Sequence, residues 1–217
     1  LGAFNDNLFK QALILAILFK LSFNADRDLL INLSALLFIL PFFLFSALGG
    51  QFGEKFDKDV LIRRIKLGEV AIMLLGALGL WLGSLPLLLV VLFAMGTQSA
   101  LFGPVKYSIL PQHLRKQEVL AGTGLIEAGT YLAILCGTIL AGWIPVEVAM
   151  VLILVTALVG YRVSRSIPPA PAMGTIEPID WNIFRSSAAL VQFVLKDRVI
   201  YLATIAISVF WTVGAIL

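Results

Sequence analysis

The sequence has one cysteine, one histidine and few charged side chains. A single cysteine excludes a disulfide framework, and Cys136, inside an apolar run, is most simply a small packing residue. His113 has no second metal ligand or nucleophile beside it in the sequence, and no glycine-rich phosphate loop is present. We therefore predict no catalytic residue, no bound metal and no cofactor, and the sequence gives little support to an enzyme.

The low fraction of charged residues also indicates that most of the chain is surrounded by lipid rather than water. Charged residues make up 13% of the 217 residues, hydrophobic residues 60%, and the mean hydropathy is +1.00. A water-soluble domain has roughly 25% charged residues, whereas a helix that crosses a bilayer needs about 20 mainly apolar residues. The range 29–53 is uncharged, and so is the range 70–105, which Ser84-Leu85-Pro86 divides into two spans. The sequence therefore predicts an all-α integral membrane protein.

Hydropathy and turn residues predict seven membrane helices and one long connection. Residues 1–163 form a six-helix bundle, residues 164–198 a linker with an amphipathic helix, and residues 199–217 the first helix of a second bundle. This is the layout of a transporter built from two six-helix halves. Because the chain starts without an initiator Met and ends in an apolar run, we expect it to be part of a longer protein. The predicted helices are Gly2–Phe23, Leu29–Gly49, Leu67–Gly83, Leu87–Leu110, Val119–Gly142, Val146–Val163 and Val199–Leu217.

The basic residues predict the orientation in the membrane. Thirteen of the 16 Lys and Arg lie between predicted helices 2 and 3, between helices 4 and 5, or around the linker. Basic loops stay in the cytoplasm, so these segments and the amino terminus are predicted to be cytoplasmic. The net charge of +3 then reflects topology and contact with anionic lipid. It does not indicate a nucleic-acid partner.

The segment between predicted helices 2 and 3 carries a recognisable pattern. Gly50 begins the run Gly-Gln-Phe-Gly-Glu-Lys-Phe-Asp-Lys, which resembles the loop signature of the major facilitator superfamily. Glu54 and Lys55 stand in place of the usual Asp-Arg pair, and Asp57 stands where a second glycine is usual. We expect a tight turn at Gly50 and a conformational latch formed by Gly50, Glu54, Lys55 and Asp57. A charged loop that only fixes topology is the alternative.

Three further motifs resemble one branch of that superfamily, the lysophospholipid transporters. They are Gly-Ala-Phe-Asn-Asp-Asn from Gly2, Phe-Gly-Pro-Val-Lys-Tyr-Ser-Ile-Leu-Pro from Phe102, and Gly-Leu-Ile-Glu-Ala from Gly124. The resemblance implies the N-terminal half of a bacterial inner-membrane transporter. Such a protein flips lysophospholipids, chiefly lysophosphatidylethanolamine, inward for reacylation, and some members are fused to an acyltransferase and an acyl-carrier-protein synthetase domain. It also implies that Asp6 and Asn7 take part in headgroup recognition.

Ionisable residues within spans are costly and are candidate sites by default. Counted at 1.5 Å per residue, Asp6, Lys106 and Glu127 fall at a similar depth in three helices, so we expect one charge cluster. A carboxylate suits an ethanolamine ammonium, and Lys106 suits its phosphate. Two alternatives stay open: Lys106 reaches the aqueous surface, or it forms a structural ion pair with Glu127.

The fifth predicted helix has two distinct faces. Small residues recur every four positions on one face, which predicts close packing against another helix. The opposite face is polar and predicts a cavity wall, so Tyr131 joins Glu127 in the predicted substrate site. The small residues are Gly129, Ala133, Gly137 and Ala141, and the polar ones are Glu127, Thr130, Tyr131 and Thr138.

Other functions remain possible at this level. A facilitator for another small solute or drug fits the same helices, and so does a membrane platform for a fused phospholipid acyltransferase. A channel is less natural, because no filter-like ring or pore loop is evident.

Overall fold

The computed structural model describes residues 1–21, 26–174 and 178–216. Within these ranges all regular structure is helical, which confirms the predicted all-α membrane class. The end of the first predicted helix at Phe23, part of the loop after it, and Leu217 lie outside the described residues. The elements are α1 (Gly2–Ala16), a π-helix (Ile17–Leu21), α2 (Arg27–Lys55), α3 (Lys58–Leu82), α4 (Leu85–Ser108), α5 (Leu110–His113), α6 (Val119–Trp143), α7 (Val146–Ser164), α8 (Ile183–Lys196) and α9 (Arg198–Ile216).

A helix is present at each of the seven predicted positions, and among the described residues five helices are long and apolar enough to cross a membrane. The predicted boundaries between helices 2 and 3 are wrong. Helix α2 continues six residues past Gly49 to Lys55, and α3 begins at Lys58 rather than Leu67. The predicted tight turn at Gly50 is therefore a helical position, because charged residues do not by themselves end a helix. The chain turns at Phe56 and Asp57 instead.

The predicted turn between α3 and α4 is confirmed. Helix α3 ends at Leu82, and the next residue, Gly83, has a φ of 61°, which is left-handed and thus suited to glycine. Ser84 precedes α4, and Pro86 lies in its first turn, where a missing N–H costs nothing. We call this end of the bundle, which also carries the α6–α7 turn, the opposite end. The end with the α2–α3 junction and the linker is the linker end.

Close helix packing relies on small residues. A Cβ added at Gly96 of α4 would lie 2.4 Å from the carbonyl oxygen of Phe38 in α2, and one at Gly49 would lie 3.0 Å from the carbonyl oxygen of Ala100. On α6, a Cβ at Gly137 would lie 2.6 Å from the carbonyl oxygen of Phe4 in α1. The predicted small-residue ridge of α6 thus packs at Gly137, whereas Gly129 is exposed.

The apolar core lies between α1, α3, α4 and α7, and includes Phe9, Met73, Leu92 and Ile153. Outward faces are apolar as well: Phe43 is 75% exposed and Leu125 is 76% exposed. A protein with this surface needs lipid rather than water around its helices, so the chain is a multi-pass membrane protein.

The linker is hydrogen-bonded to the bundle at the linker end. Its proline-rich part pairs with the start of α3, because Lys58 N–H donates to the Ala170 carbonyl at 2.8 Å and Asp59 accepts from Ala170 N–H at 3.1 Å. Farther along, the Gln51 side chain accepts from Asp180 N–H at 2.8 Å and donates to the Ser186 hydroxyl at 3.0 Å. These contacts hold the linker against α2 and α3.

Candidate functional site

A set of buried polar residues surrounds Glu69 of α3, which is 1% exposed. Its carboxylate accepts from Lys66 Nζ at 2.6 Å, from Gln98 Nε2 of α4 at 3.3 Å and from Asn5 Nδ2 of α1 at 3.4 Å. Asn5 Nδ2 also donates to the Ile153 carbonyl of α7 at 3.1 Å. We call Asn5, Lys66, Glu69 and Gln98 the buried polar cluster. It joins four helices.

Asp6 lies beside this cluster, on the next residue of α1. Its Oδ2 accepts from the Ser99 hydroxyl of α4 at 2.7 Å. Its Oδ1 is buried and has no hydrogen-bond partner among the described residues. An unpaired carboxylate oxygen in a buried position retains the capacity to accept a hydrogen bond from a ligand. Asn7, in contrast, donates within its own helix to the Ala3 carbonyl at 2.8 Å.

A second set of polar side chains is half-buried and lies between α4 and α6. The Tyr107 hydroxyl donates a hydrogen bond to Glu127 Oε1. The ammonium of Lys106 lies 4.6 Å from the centroid of the Tyr107 ring. One turn beyond Glu127, the Tyr131 ring meets the Phe210 ring of α9 edge to face, with centroids 6.5 Å apart. We call Lys106, Tyr107, Glu127 and Tyr131 the open polar group.

The structure thus divides the predicted charge cluster in two. Glu127 and the ammonium of Lys106 each contact Tyr107, while Asp6 contacts Ser99. The buried polar cluster was missed because the predicted helix 3 began at Leu67, which left Lys66 in a loop and Glu69 without consideration. The spacing of Lys66 and Glu69, three positions apart, was the available signal, since such a pair shares one helix face.

The four residues predicted as a latch lie at the linker end. Gly50 and Glu54 are in the last turns of α2, Lys55 is its last residue, and Asp57 precedes α3. Asp57 Oδ1 accepts from Ala172 N–H at 2.9 Å, and the Glu54 carbonyl accepts from Gly174 N–H at 3.1 Å. The partner of this segment in the structure is therefore the linker.

The two polar sets differ in the chemistry that they allow. Within the described ranges no three His, Cys, Asp or Glu side chains come together as metal ligands. The open polar group offers one ammonium, one carboxylate and an aromatic surface, all partly accessible. Such a combination can bind a small molecule that carries both charges, because each charge meets its opposite.

Comparison with known proteins gives a consistent result for most of the chain. It is 32% identical over 157 residues to the lysophospholipid transporter LplT of Photorhabdus laumondii, which covers 72% of this chain and 37% of that protein. It is 31% identical over 142 residues to LplT of Salmonella newport, which covers 65% of this chain and 33% of that protein.

These matches leave most of each relative uncovered, since the chain spans about a third of the length of the curated relatives it matches. No family model matches the chain. The relatives are nevertheless the same kind of protein that the three sequence motifs resemble. By sequence, this chain belongs to the lysophospholipid transporter branch of the major facilitator superfamily.

Proposed function

We propose that the protein moves lysophospholipid inward across the bacterial inner membrane. The similarity to lysophospholipid transporters over about two thirds of the chain carries this proposal. In it, residues 1–163 are the N-terminal bundle, residues 164–198 the linker to the second bundle, and residues 199–217 the first helix of that bundle. The two bundles rock about a central site, and the amino terminus and the linker end face the cytoplasm.

The open polar group is our proposed contact for the headgroup. The substrate is a lysophosphatidylethanolamine-like lipid, whose headgroup carries an anionic phosphate and a cationic ammonium. Lys106 takes the phosphate and Glu127 the ammonium, with Tyr131 on the same face of α6. The partial exposure of Lys106 and Glu127 supports this assignment, because a ligand can reach both side chains without taking the bundle apart.

Asp6 and Asn7 form the deeper part of the proposed site. The observation that favours Asp6 is its second carboxylate oxygen, which is buried and has no hydrogen-bond partner among the described residues. A primary ammonium has three N–H donors, so it can use Glu127 and Asp6 at successive stages of its passage. Asn7 lies next to Asp6 on α1, with its amide held by Ala3.

The proposed latch acts between transport states. The Glu54 carbonyl and the Asp57 carboxylate contact the linker at the α2–α3 junction. In our proposal the latch of Gly50, Glu54, Lys55 and Asp57 releases the linker when the bundles rock. The lipid that reaches the inner leaflet lacks one acyl chain, so its use requires an acyltransferase, either fused to the transporter or separate.

The test is a flipping assay with labelled lysophosphatidylethanolamine in proteoliposomes that contain the full-length protein. We expect flipping by the wild type and a loss of at least about tenfold in Lys106→Gln and in Glu127→Gln, since each change removes a charge contact with the headgroup. Lys116→Gln is the matched control, because Lys116 is exposed between α5 and α6. Absence of flipping by the wild type, or normal flipping by both variants, would contradict the proposal.

A further inference from the structure

A cavity lies at the opposite end of the bundle, away from the polar sets described above. It has a volume of about 280 Å³ and lies where the end of α1 and the π-helix meet the α6–α7 turn. Its walls are mainly apolar, and the charged residues among the described part of its lining are Lys20, in the π-helix, and Glu147, in the first turn of α7. The apolar walls include Ala12, Leu15, Ala141, Ile144 and Ala149.

The two charges are available to a ligand. Lys20 and Glu147 are both exposed, and within the described part of the chain no ion pair joins them. The lysine stands on a π-helix, a conformation that is rare and is frequently found at functional sites. The site therefore presents one cation, one anion and an apolar surface in the same small space.

This combination fits one class of molecule, a lipid whose headgroup carries both charges. The volume is close to the lower limit of about 300 Å³ for ligand sites, so it suits a headgroup and the first part of a single acyl chain. The rest of the chain can lie along the outer surface of α6, where Ile139 is 59% exposed and Trp143 is 85% exposed. A second acyl chain has no comparable place in the cavity.

We propose that this cavity is a loading site for a zwitterionic lysophospholipid at the end of the bundle opposite the linker. Lys20 binds the phosphate, Glu147 binds the ammonium, and the apolar walls receive the start of the acyl chain. Glu127 and Trp143 are separated on α6 by about 24 Å at 1.5 Å per residue, so this site is distinct from the open polar group. The identification of the ligand as a lysophospholipid rests on the proposed function. The inference that the ligand carries both charges rests on Lys20 and Glu147 alone.

The first experiment measures occupancy directly. Full-length protein in nanodiscs is irradiated with lysophosphatidylethanolamine that carries a photoreactive group near its headgroup, and adducts are mapped by mass spectrometry. We expect adducts in the ranges 12–20 and 141–149, reduced about fivefold in Lys20→Gln and in Glu147→Gln. Asp28→Asn, which removes an exposed carboxylate at the same end, is the control and should leave them unchanged.

Competition identifies the lipid class. Unlabelled lysophosphatidylethanolamine should remove the adducts, and diacyl phosphatidylethanolamine at the same concentration should not. Equal competition by the diacyl lipid would show a general lipid contact and overturn the proposal. Adducts in these ranges that survive both charge variants would also overturn it, since the contact would then be apolar alone.

The second experiment measures transport of lipid added from the outer side. Lys20→Gln and Glu147→Gln should each raise KM about fivefold and leave kcat unchanged, because loading is weakened and translocation is not. Glu147→Gln should also lose the preference for lysophosphatidylethanolamine over lysophosphatidylglycerol, which lacks the ammonium. Flipping by the wild type with an unchanged KM in both variants would overturn the loading site and leave the proposed function standing. Adducts that depend on both charges, in a wild type that does not flip lipid, would support the loading site and overturn the proposed function.

Discussion

The two polar sets of this bundle lie in the same half of the molecule but are built differently. In the buried polar cluster, Glu69 accepts from three donors on three helices and is almost fully enclosed. In the open polar group, Glu127 accepts from Tyr107 and remains partly exposed. The first arrangement uses its hydrogen-bonding capacity to hold helices together. The second keeps capacity for a ligand, so intramembrane charge alone does not identify a binding site.

The largest effect should come from breaking the buried polar cluster. Lys66→Met removes the cation that faces Glu69 and leaves a buried carboxylate unpaired, which we expect to destabilise the protein by about 3–5 kcal/mol. Thermal unfolding of the purified full-length protein measures this. The double variant Lys66→Met, Glu69→Met should recover part of the loss, because no unpaired charge remains. A single variant as stable as wild type would show that Glu69 does not depend on Lys66.

An intermediate effect should come from the helix crossing next to this cluster. Gly96→Ala places a Cβ against the Phe38 carbonyl and should destabilise the protein by about 1–3 kcal/mol. Gly50→Ala is the matched control, since a Cβ there meets no atom within 4 Å and alanine is the better helix former. It should be neutral or stabilising by up to about 1 kcal/mol. Equal melting temperatures for the two variants would contradict the close contact of α2 and α4.

Substitutions in the open polar group should have a small effect on stability and a large effect on transport. Lys106→Gln combined with Glu127→Gln should change the free energy of unfolding by less than about 1 kcal/mol, because both side chains are partly solvated. Transport of lysophosphatidylethanolamine should nevertheless be lost. A stable double variant with normal transport would remove these residues from headgroup recognition. Loss of stability in each single variant, with recovery in the double, would instead make them a structural pair.

The smallest effect concerns the linker. A hydrogen bond from the Arg185 guanidinium, at 2.6 Å, lowers the pKa of Asp180 below its usual value of 3.8. The contact is therefore complete above that value and is lost only as the pH falls through the lowered pKa. Fluorescence of Trp181, in a variant that retains it as the only tryptophan, should be constant from pH 8 to pH 5. A transition within that range would show that another group holds the linker.

Sequence patterns predicted the helices well because each membrane span is a local property. The run of apolar residues before Ser84 and Pro86 is sufficient to place α3, α4 and the turn between them. The position of a helix end within a polar segment is harder to predict, since Gly50 and the charged residues after it are compatible with a loop and with a helix. The linker contact, which lies more than 100 residues away, influences that choice.

The site was predicted only in part for a related reason. Depth along a helix follows from residue counting, and in the structure both Lys106 and Glu127 contact Tyr107. The direction in which a side chain points follows from which helices pack together, and that depends on contacts distant in sequence. The Ser99 hydroxyl that binds Asp6 is 93 residues away from it. Without knowledge of such long-range contacts, the sequence does not predict which polar residue belongs to which of the two polar sets.

The attachment of the linker determines where the chain can bend. Among the described residues of the linker, the backbone is held at Ala170, Ala172, Gly174 and Asp180, and the Ser186 hydroxyl is held by Gln51. Helices α8 and α9 are each continuous, and Asp197 is the single residue between them. If α9 rotates relative to the first bundle as the proposed transport cycle requires, we expect the change in backbone direction at Asp197, the residue that is in neither helix.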